Sequence, residues 1–269
     1  MNETTTLHER GIRECCKKLR ISSNMADRAV AHGNEAQLEF LYRLLNDELA
    51  SRQRARVEKL VNTAGFPRRY VFDQFEATEV QFPSSINCES LRQLDFYHDE
   101  EKRNIVMYGR TGTGKTMLSI CIGLEACKQG IPVKFARTAA LVNLLAESAG
   151  SGRLSAITKK LKSASIFILD EFGYVPYNRT GSQLLFEFLS EIDEDSGKVV
   201  ILNTNLEFSS WVNVLYDGRM AEALIGRLMH HCDLLLFPGE NRRLQAATAK
   251  RNYAGQNDIS FQEPDKARA

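Results

Sequence analysis

The sequence contains 269 residues, 43% of them hydrophobic and 26% charged, with a net charge of +1, which is typical of a globular protein with one large or two modest domains. No apolar run approaches the roughly 20 residues that cross a bilayer, and the polar start has no signal-peptide core, so we expect a cytoplasmic protein without a membrane partner. The six cysteines show neither the spacing of a zinc site nor that of a disulfide framework, so we expect reduced thiols.

Residues 1–66 predict a small all-helical domain. Between residues 34 and 61, leucines and valines recur at close to helical spacing, and the Gly-Phe-Pro sequence at 65–67 ends this helix. Residues 1–70 hold 13 Lys/Arg against 9 Asp/Glu. A basic cluster lies within about two turns near the end of the long helix; its members are Arg52, Arg54, Arg56 and Lys59. The cluster is either a solvated helix face or a contact with nucleic-acid phosphates, and both readings stay open.

Residues 67–83 predict an aromatic linker. They contain Tyr70, Phe72, Phe75 and Phe82 without helical periodicity, and an exposed run of such rings would be adhesive. We therefore expect these rings to pack near the ligand pocket of the next domain or against a neighbouring molecule. Residues 88–104 then predict one helix that leads into the next strand.

A phosphate-binding loop is the most specific motif in the chain. Residues 109–116, GRTGTGKT, match the P-loop pattern G-x-x-x-x-G-K-[ST] between an apolar strand and a predicted helix. The glycines let backbone N–H groups approach phosphate, and the helix N-terminus adds partial positive charge. Lys115 would reach the β- and γ-phosphates, and the Thr116 hydroxyl would ligate Mg²⁺. The predicted nucleotide-binding residues are Gly109, Arg110, Thr111, Gly112, Thr113, Gly114, Lys115 and Thr116.

Strand-like and helical segments alternate after the P-loop. Repeated βα units predict a parallel sheet of about five strands with helices on both faces, which gives an α/β domain over residues 84–250. The last of these segments is a helix expected from residue 240 onward. The polar residues 251–269 predict a C-terminal tail.

Two adjacent acids follow a strongly apolar strand. The segment ASIFILDEF at 164–172 places Asp170 and Glu171 where this strand ends. Asp170 would hold Mg²⁺ through a water or hydroxyl, and Glu171 would orient and deprotonate the attacking water. Neighbouring carboxylates are costly unless they share a cation or a proton, so a solvated strand terminus is the weaker reading.

Further polar residues complete the predicted chemistry. At the end of the strand VVILNTN, Asn205, or less favourably Asn203, would hydrogen-bond the γ-phosphate or the lytic water. Phosphoryl transfer also needs an arginine, which comes from the same subunit or from a neighbour. The candidates are Arg227, Arg242 and Arg243, although any single arginine is also explained by surface solubility.

Taken together, these motifs resemble those of AAA+ ATPases, and more closely those of the IstB-type transposition helpers of insertion sequences, which are relatives of the DnaC helicase loaders. The resemblance covers about residues 65 to 245. It is carried by GRTGTGKTMLS, KFARTAALVNLL, FILDEFGYVP, NTNLEFSSW, LIGRLMHH and PGENRRL. The basic helical N-terminal region resembles the DNA-binding segment of that family less specifically.

The resemblance implies a role for each matching residue. It implies ATP and Mg²⁺ at the P-loop, Asp170 and Glu171 as the Walker B acids, and Asn205 as the sensor 1 residue. Arg227 matches the arginine finger that reaches a neighbouring subunit, and Arg243 matches the sensor 2 arginine, with Arg242 less favoured. One departure is that such helpers commonly carry a basic and aromatic segment where this chain has SEIDEDSGK at 190–198.

The function implied is that of a Mg²⁺-dependent ATPase. It would form a homo-oligomer on double-stranded DNA and recruit or stimulate the transposase of the same element. The alternative is a helicase loader that shares the ATPase core. A third reading is a nucleotide-sensing adaptor with negligible turnover, which has no need of a water-activating carboxylate such as Glu171.

Overall fold

The computed structural model describes residues 3–242, with side chains from residue 7 onward. It divides into two compact units, Met1–Asn62 and Thr63–Ala269. The division falls inside the long third helix, slightly before the boundary expected after residue 66. The predicted helix beyond residue 242, the tail at 251–269 and Arg243 lie outside the described residues.

The first unit consists of helices as far as it is described. They are α1 (Glu3–Leu19), α2 (Ser23–His32) and α3 (Glu35–Ala64). The apolar faces of the helices meet in a small core built around Ile12, Cys16 and Leu38, each at most 2% exposed. At the start of α3, Asn34 and Gln37 exchange hydrogen bonds between side chain and backbone, which caps free N–H groups of the first turn.

The aromatic segment belongs to the second unit. Its 3₁₀ helix, Phe72–Gln74, buries Phe72, and Phe75 beyond it is also buried. The following residues were predicted as one helix, but they form two, α4 (Cys88–Gln93) and α5 (Asp95–His98). Leu94 separates them with a left-handed backbone, φ 65°. A bulky residue rarely adopts that conformation, so propensity did not reveal the break.

Five parallel strands form one sheet. They are β1 (Asn104–Gly109), β2 (Val133–Arg137), β3 (Ile166–Phe172), β4 (Val199–Thr204) and β5 (Cys232–Phe237). Their order in the sheet is β2-β3-β4-β1-β5, so β4 lies between β3 and β1. The inner strands β1, β3 and β4 are largely apolar and buried because helices cover both faces of the sheet, as parallel sheets require. The edge strands β2 and β5 alternate buried residues with less buried ones.

The helices that follow the P-loop cover the two faces of this sheet. They are α6 (Lys115–Lys128), α7 (Thr138–Gly150), α8 (Leu154–Leu161), α9 (Arg179–Asp193) and α10 (Gly218–His230). Helix α6 packs against β1 to β4, while α7, α9 and α10 join a second apolar core. In that core the rings of Phe172 and Trp211 lie 4.3 Å apart and are fully buried. Helix α8 was not predicted.

No helix within the described part of the chain is both long enough and apolar enough to cross a membrane. The five-stranded parallel sheet with helices on both faces confirms the predicted α/β class.

Candidate nucleotide-binding site

A cleft of about 270 Å³ opens at the carboxyl edge of the sheet. Strands β3, β4 and β1 are neighbours, so the residues at their carboxyl ends meet there, as is usual for ligand sites in open α/β sheets. The cleft is lined by the P-loop, by both predicted acids, by Asn203 and by Arg242. The topology therefore joins motifs that are far apart in the sequence.

The P-loop has the backbone that close approach to phosphate demands. Gly109 has φ 153°, and a Cβ at this position would collide with the backbone carbonyl of Phe237. The ammonium of Lys115 donates to the carbonyl oxygens of Gly109 (2.6 Å) and Arg110 (2.7 Å). Helix α6 begins at Lys115, so its N-terminal N–H groups and partial positive charge lie at the cleft.

Thr116 and Asp170 form the candidate metal site. Asp170 is only 4% exposed, and the Thr116 hydroxyl lies 2.9 Å and 3.1 Å from its two carboxylate oxygens. The pair provides hard oxygen donors beside a phosphate-binding loop. This donor set fits Mg²⁺, which proteins usually hold through one or two carboxylates together with substrate phosphates.

Glu171 reaches the same cleft through an irregular backbone. Successive residues of a strand normally point to opposite faces, yet Asp170 and Glu171 both line this cleft. The register of β3 against β4 shifts between Leu169 and Phe172, and Glu171 has φ 57°. Such strain costs on the order of 1–3 kcal/mol and is concentrated at functional sites. The Arg137 guanidinium lies 3.4 Å from the Glu171 carboxylate.

Asn203, and not the favoured Asn205, contacts Asp170. Asn203 is 1% exposed, and its amide donates to Asp170 at 2.9 Å. Strand β4 ends at Thr204, so Asn205 leaves the strand alternation, is exposed and lines a separate groove that includes Arg110. A contact of Asn205 with the γ-phosphate stays a prediction.

Aromatic side chains form another wall of the cleft. Tyr70 and Phe75 line it, as expected for the 67–83 segment. A Cβ placed on Gly114 would lie 3.2 Å from the Phe75 ring, so this ring packs close to the P-loop. Tyr174 is not among the residues predicted from the sequence. Its hydroxyl is 2.8 Å from that of Thr111 and so links the turn after the acids to the P-loop. The signal that could have identified it is its place three residues after Glu171.

The C-terminal arginines are only partly described. Arg242 lines the cleft, its backbone N–H donates to the carbonyl of Gly112 at 3.1 Å, and its guanidinium lies 3.4 Å from Glu79. Arg243, the favoured sensor 2 residue, lies outside the described residues. Arg242 therefore lies beside the P-loop in the described structure.

Arg227 lies elsewhere on the second unit. It is in the last turn of α10, 3.2 Å from Glu194, with its guanidinium 5.9 Å from the centre of the Phe186 ring. Arg227 is not among the described residues that line the cleft. A role in the cleft of its own subunit thus gains no support from this geometry, whereas a role at a neighbour's site stays a prediction.

The basic cluster of α3 is exposed and lies on the first unit. Arg52, Arg56 and Lys59 are four and three residues apart and share one helix face, whereas Arg54 lies roughly 200° round the helix from Arg52. Arg52 also pairs with Glu48 at 2.7 Å. Three cations of the predicted cluster, Arg52, Arg56 and Lys59, therefore share one face of α3, and Arg54 lies on the other side.

Comparison with known sequences identifies relatives over most of the chain. The profile of the family described as IstB-like ATP binding protein matches residues 17–250. The chain is 30% identical over 240 residues to an ATP-binding protein of insertion sequence IS5376 from Geobacillus stearothermophilus, covering 87% of this chain and 94% of that protein. It is 32% identical over 208 residues to an ATP-binding protein of insertion sequence IS21 from Pseudomonas aeruginosa, covering 77% of each.

Solved structures share the fold at low sequence identity. The AMPPCP-bound DnaA from Aquifex aeolicus superposes with a TM-score of 0.54 at 16% identity, covering 74% of this chain and 59% of that chain. This likeness confirms the predicted fold of a parallel sheet flanked by helices.

Proposed function

The chain belongs to the family of IstB-like ATP binding proteins, and on that premise we propose that it is a Mg²⁺-dependent ATPase that acts as a transposition helper in the cytoplasm. It assembles on double-stranded DNA and recruits or stimulates the transposase of its element. One observation carries the proposal: Lys115, Thr116, Asp170 and Glu171, from two distant sequence motifs, line one cleft.

The cleft suits the two chemical parts of ATP. Lys115, the loop N–H groups and the N-terminus of α6 offer positive charge to the triphosphate. Tyr70 and Phe75 offer apolar, aromatic surface that suits a purine ring. Thr116 and Asp170 would hold Mg²⁺, which neutralises charge on the β- and γ-phosphates when bound.

Glu171 is the residue that we assign to water activation. Its side chain is 42% exposed, and it follows directly on the carboxylate that we assign to the metal. A carboxylate at this place can accept the proton of the attacking water, which is general base catalysis. Lys115 stabilises the negative charge that spreads over the transferred phosphoryl group. Arg227 of a neighbouring subunit completes that stabilisation.

The basic face of α3 is proposed to bind DNA through phosphate contacts. The cluster lies on no described reading motif, so its cations give affinity without evident base selection. Each phosphate contact releases condensed counterions, which makes the logarithm of the binding constant fall with slope about −0.9 per contact against the logarithm of salt concentration.

We expect Arg56→Ala and Lys59→Ala each to weaken duplex binding and to reduce the magnitude of the salt slope by about 1. Fluorescence anisotropy on a labelled duplex across a salt series measures both quantities. Arg54→Ala is the matched control, because it removes the same charge from the other side of α3 and should change the slope less. A slope near zero for the unaltered protein, or strong sequence selectivity, would contradict phosphate binding.

Partner identity separates a transposition helper from a helicase loader. We expect the protein, with ATP and duplex DNA, to co-purify with the transposase encoded beside it and not with a replicative helicase. Lys115→Ala serves as the control, because loss of ATP binding should remove the ATP-dependent part of the complex. Retention of the helicase in place of the transposase would favour the loader.

A further inference from the structure

Four side chains form a closed hydrogen-bond network beside the candidate metal site. Thr116 donates to Asp170, and the amide nitrogen of Asn203 donates both to Asp170 and to the hydroxyl of Ser119, each at 2.9 Å. The Ser119 hydroxyl in turn donates to the backbone carbonyl of Thr116 at 3.1 Å. The network thus begins and ends at Thr116, the residue that follows the P-loop lysine.

The network fixes which way the Asn203 amide points. Its two N–H hydrogens match two acceptors, a carboxylate oxygen and a hydroxyl, whereas the flipped amide would set its carbonyl against the carboxylate. Ser119 is fully buried and Asn203 is 1% exposed, so protein contacts and not solvent fix the orientation of both side chains. Asp170 is therefore held by two protein donors in one position.

In the same orientation, the amide oxygen of Asn203 is left as an unused hydrogen-bond acceptor. The side-chain Oδ1 of Asn203 is buried and has no hydrogen-bond partner among the described residues. A buried acceptor without a partner costs about 1–3 kcal/mol, so its persistence needs an explanation. Asn203 lines the cleft, where a water or a ligand group can supply the missing hydrogen.

We infer that Asn203, supported by Ser119, is a positioning residue for the carboxylate of Asp170 in the metal site, and that its Oδ1 accepts a hydrogen bond from a water of that site. The inference rests on the proposed Mg²⁺-ATP function. It assigns Asn203 a task distinct from the γ-phosphate contact predicted for the end of this strand. Partners that orient a metal ligand commonly contribute 10–100-fold in metal affinity.

The test measures metal binding without turnover. Mn²⁺, a paramagnetic substitute for Mg²⁺, is titrated into the full-length protein saturated with a non-hydrolysable ATP analogue, and bound metal is followed by electron paramagnetic resonance. We expect Asn203→Ala to raise the Mn²⁺ dissociation constant about 10–100-fold. Ser119→Ala, a smaller change that should fold, is expected to raise it in the same direction by less.

The matched control is Asn104→Ala. Asn104 is also a buried asparagine of this sheet, but it accepts a hydrogen bond from the Val200 N–H, close to where β4 begins. This change should lower thermal stability and leave the Mn²⁺ dissociation constant within about twofold, because the lost hydrogen bond is worth about 1 kcal/mol of folding free energy and does not touch the metal site. The control separates metal positioning from general weakening of the sheet.

Hydrolysis supplies a second readout. The Mg²⁺ concentration for half-maximal ATP hydrolysis should rise in Asn203→Ala, while kcat is largely recovered at saturating Mg²⁺. Unchanged Mn²⁺ affinity in both Asn203→Ala and Ser119→Ala would overturn this inference alone, as would an equal loss in Asn104→Ala. Absence of metal binding by the unaltered protein would overturn the proposed function and, with it, this inference.

Discussion

Replacement of Glu171 by glutamine is expected to abolish steady ATP hydrolysis while ATP binding is kept. Glutamine preserves the shape of the side chain but cannot accept the proton of the attacking water. General base catalysis contributes about 10²–10⁴-fold, so kcat should fall by at least about 100-fold. Phosphate release measures turnover, and titration with a fluorescent ATP analogue measures affinity.

Two comparison variants separate water activation from other effects of this change. Glu171→Gln also weakens the pair with Arg137, so Arg137→Ala tests whether loss of that pair alone reproduces the defect. The two side chains are 42% and 63% exposed, and exposed pairs contribute only about 0–1 kcal/mol, so Arg137→Ala should retain most of the turnover. As a control, Glu147→Gln makes the same chemical change at an exposed residue of α7 and should leave turnover unchanged.

Hydrolysis that survives Glu171→Gln would contradict the assignment of the general base. Negligible hydrolysis by the unaltered protein, with tight ATP binding, would instead favour a nucleotide-sensing adaptor. Steady hydrolysis that disappears in Glu171→Gln would reject that adaptor. The single substitution therefore distinguishes two classes of function.

Local sequence signals were sufficient for the sheet and the P-loop. Strands β1, β3 and β4 are built on consecutive apolar residues followed by glycine, acids or asparagine, and the parallel arrangement follows from the alternation of strands with helices. Gly109 and Lys115 belong to a fixed pattern in which the side chain of each residue type has a physical task. No long-range information was needed for these features.

Features set by tertiary contacts were not predictable in the same way. The left-handed backbone of Leu94 divides an expected helix, and the left-handed backbone of Glu171 brings two neighbouring acids to one cleft. Both conformations cost free energy locally, and surrounding packing must stabilise them. A propensity scale predicts neither conformation, because it considers each residue without its neighbours in space.

For a related reason, the sequence alone does not show whether Asn203 or Asn205 contacts Asp170. Both follow the same apolar run, and the sequence alone does not say at which residue the strand ends. The end of β4 at Thr204 leaves Asn203 in the buried network and Asn205 exposed. An uncertainty of one or two residues at an element boundary therefore changed which side chain meets Asp170.

Arg227→Ala is expected to bind ATP normally and to hydrolyse it poorly. Arginine fingers contribute about 10³–10⁵ in rate, equivalent to about 4–7 kcal/mol of transition-state stabilisation. The observed pair with Glu194 is weak by comparison, because its side chains are 40% and 69% exposed and such pairs contribute about 0–1 kcal/mol. Binding to a neighbour's ATP can therefore displace Glu194. The control Glu194→Gln should leave hydrolysis undiminished.

Mixing variants tests whether Arg227 acts between subunits. In a head-to-tail assembly each site takes Lys115 from one subunit and Arg227 from the next, so an equal, randomly mixed assembly of Lys115→Ala and Arg227→Ala restores about one site in four. Turnover near a quarter of the unaltered protein's is expected, although each variant alone is nearly inactive. Co-sedimentation on duplex DNA verifies that the two variants assemble together. A co-assembled mixture no more active than its parts would place the arginine's action within one subunit, because no composite site would then have formed.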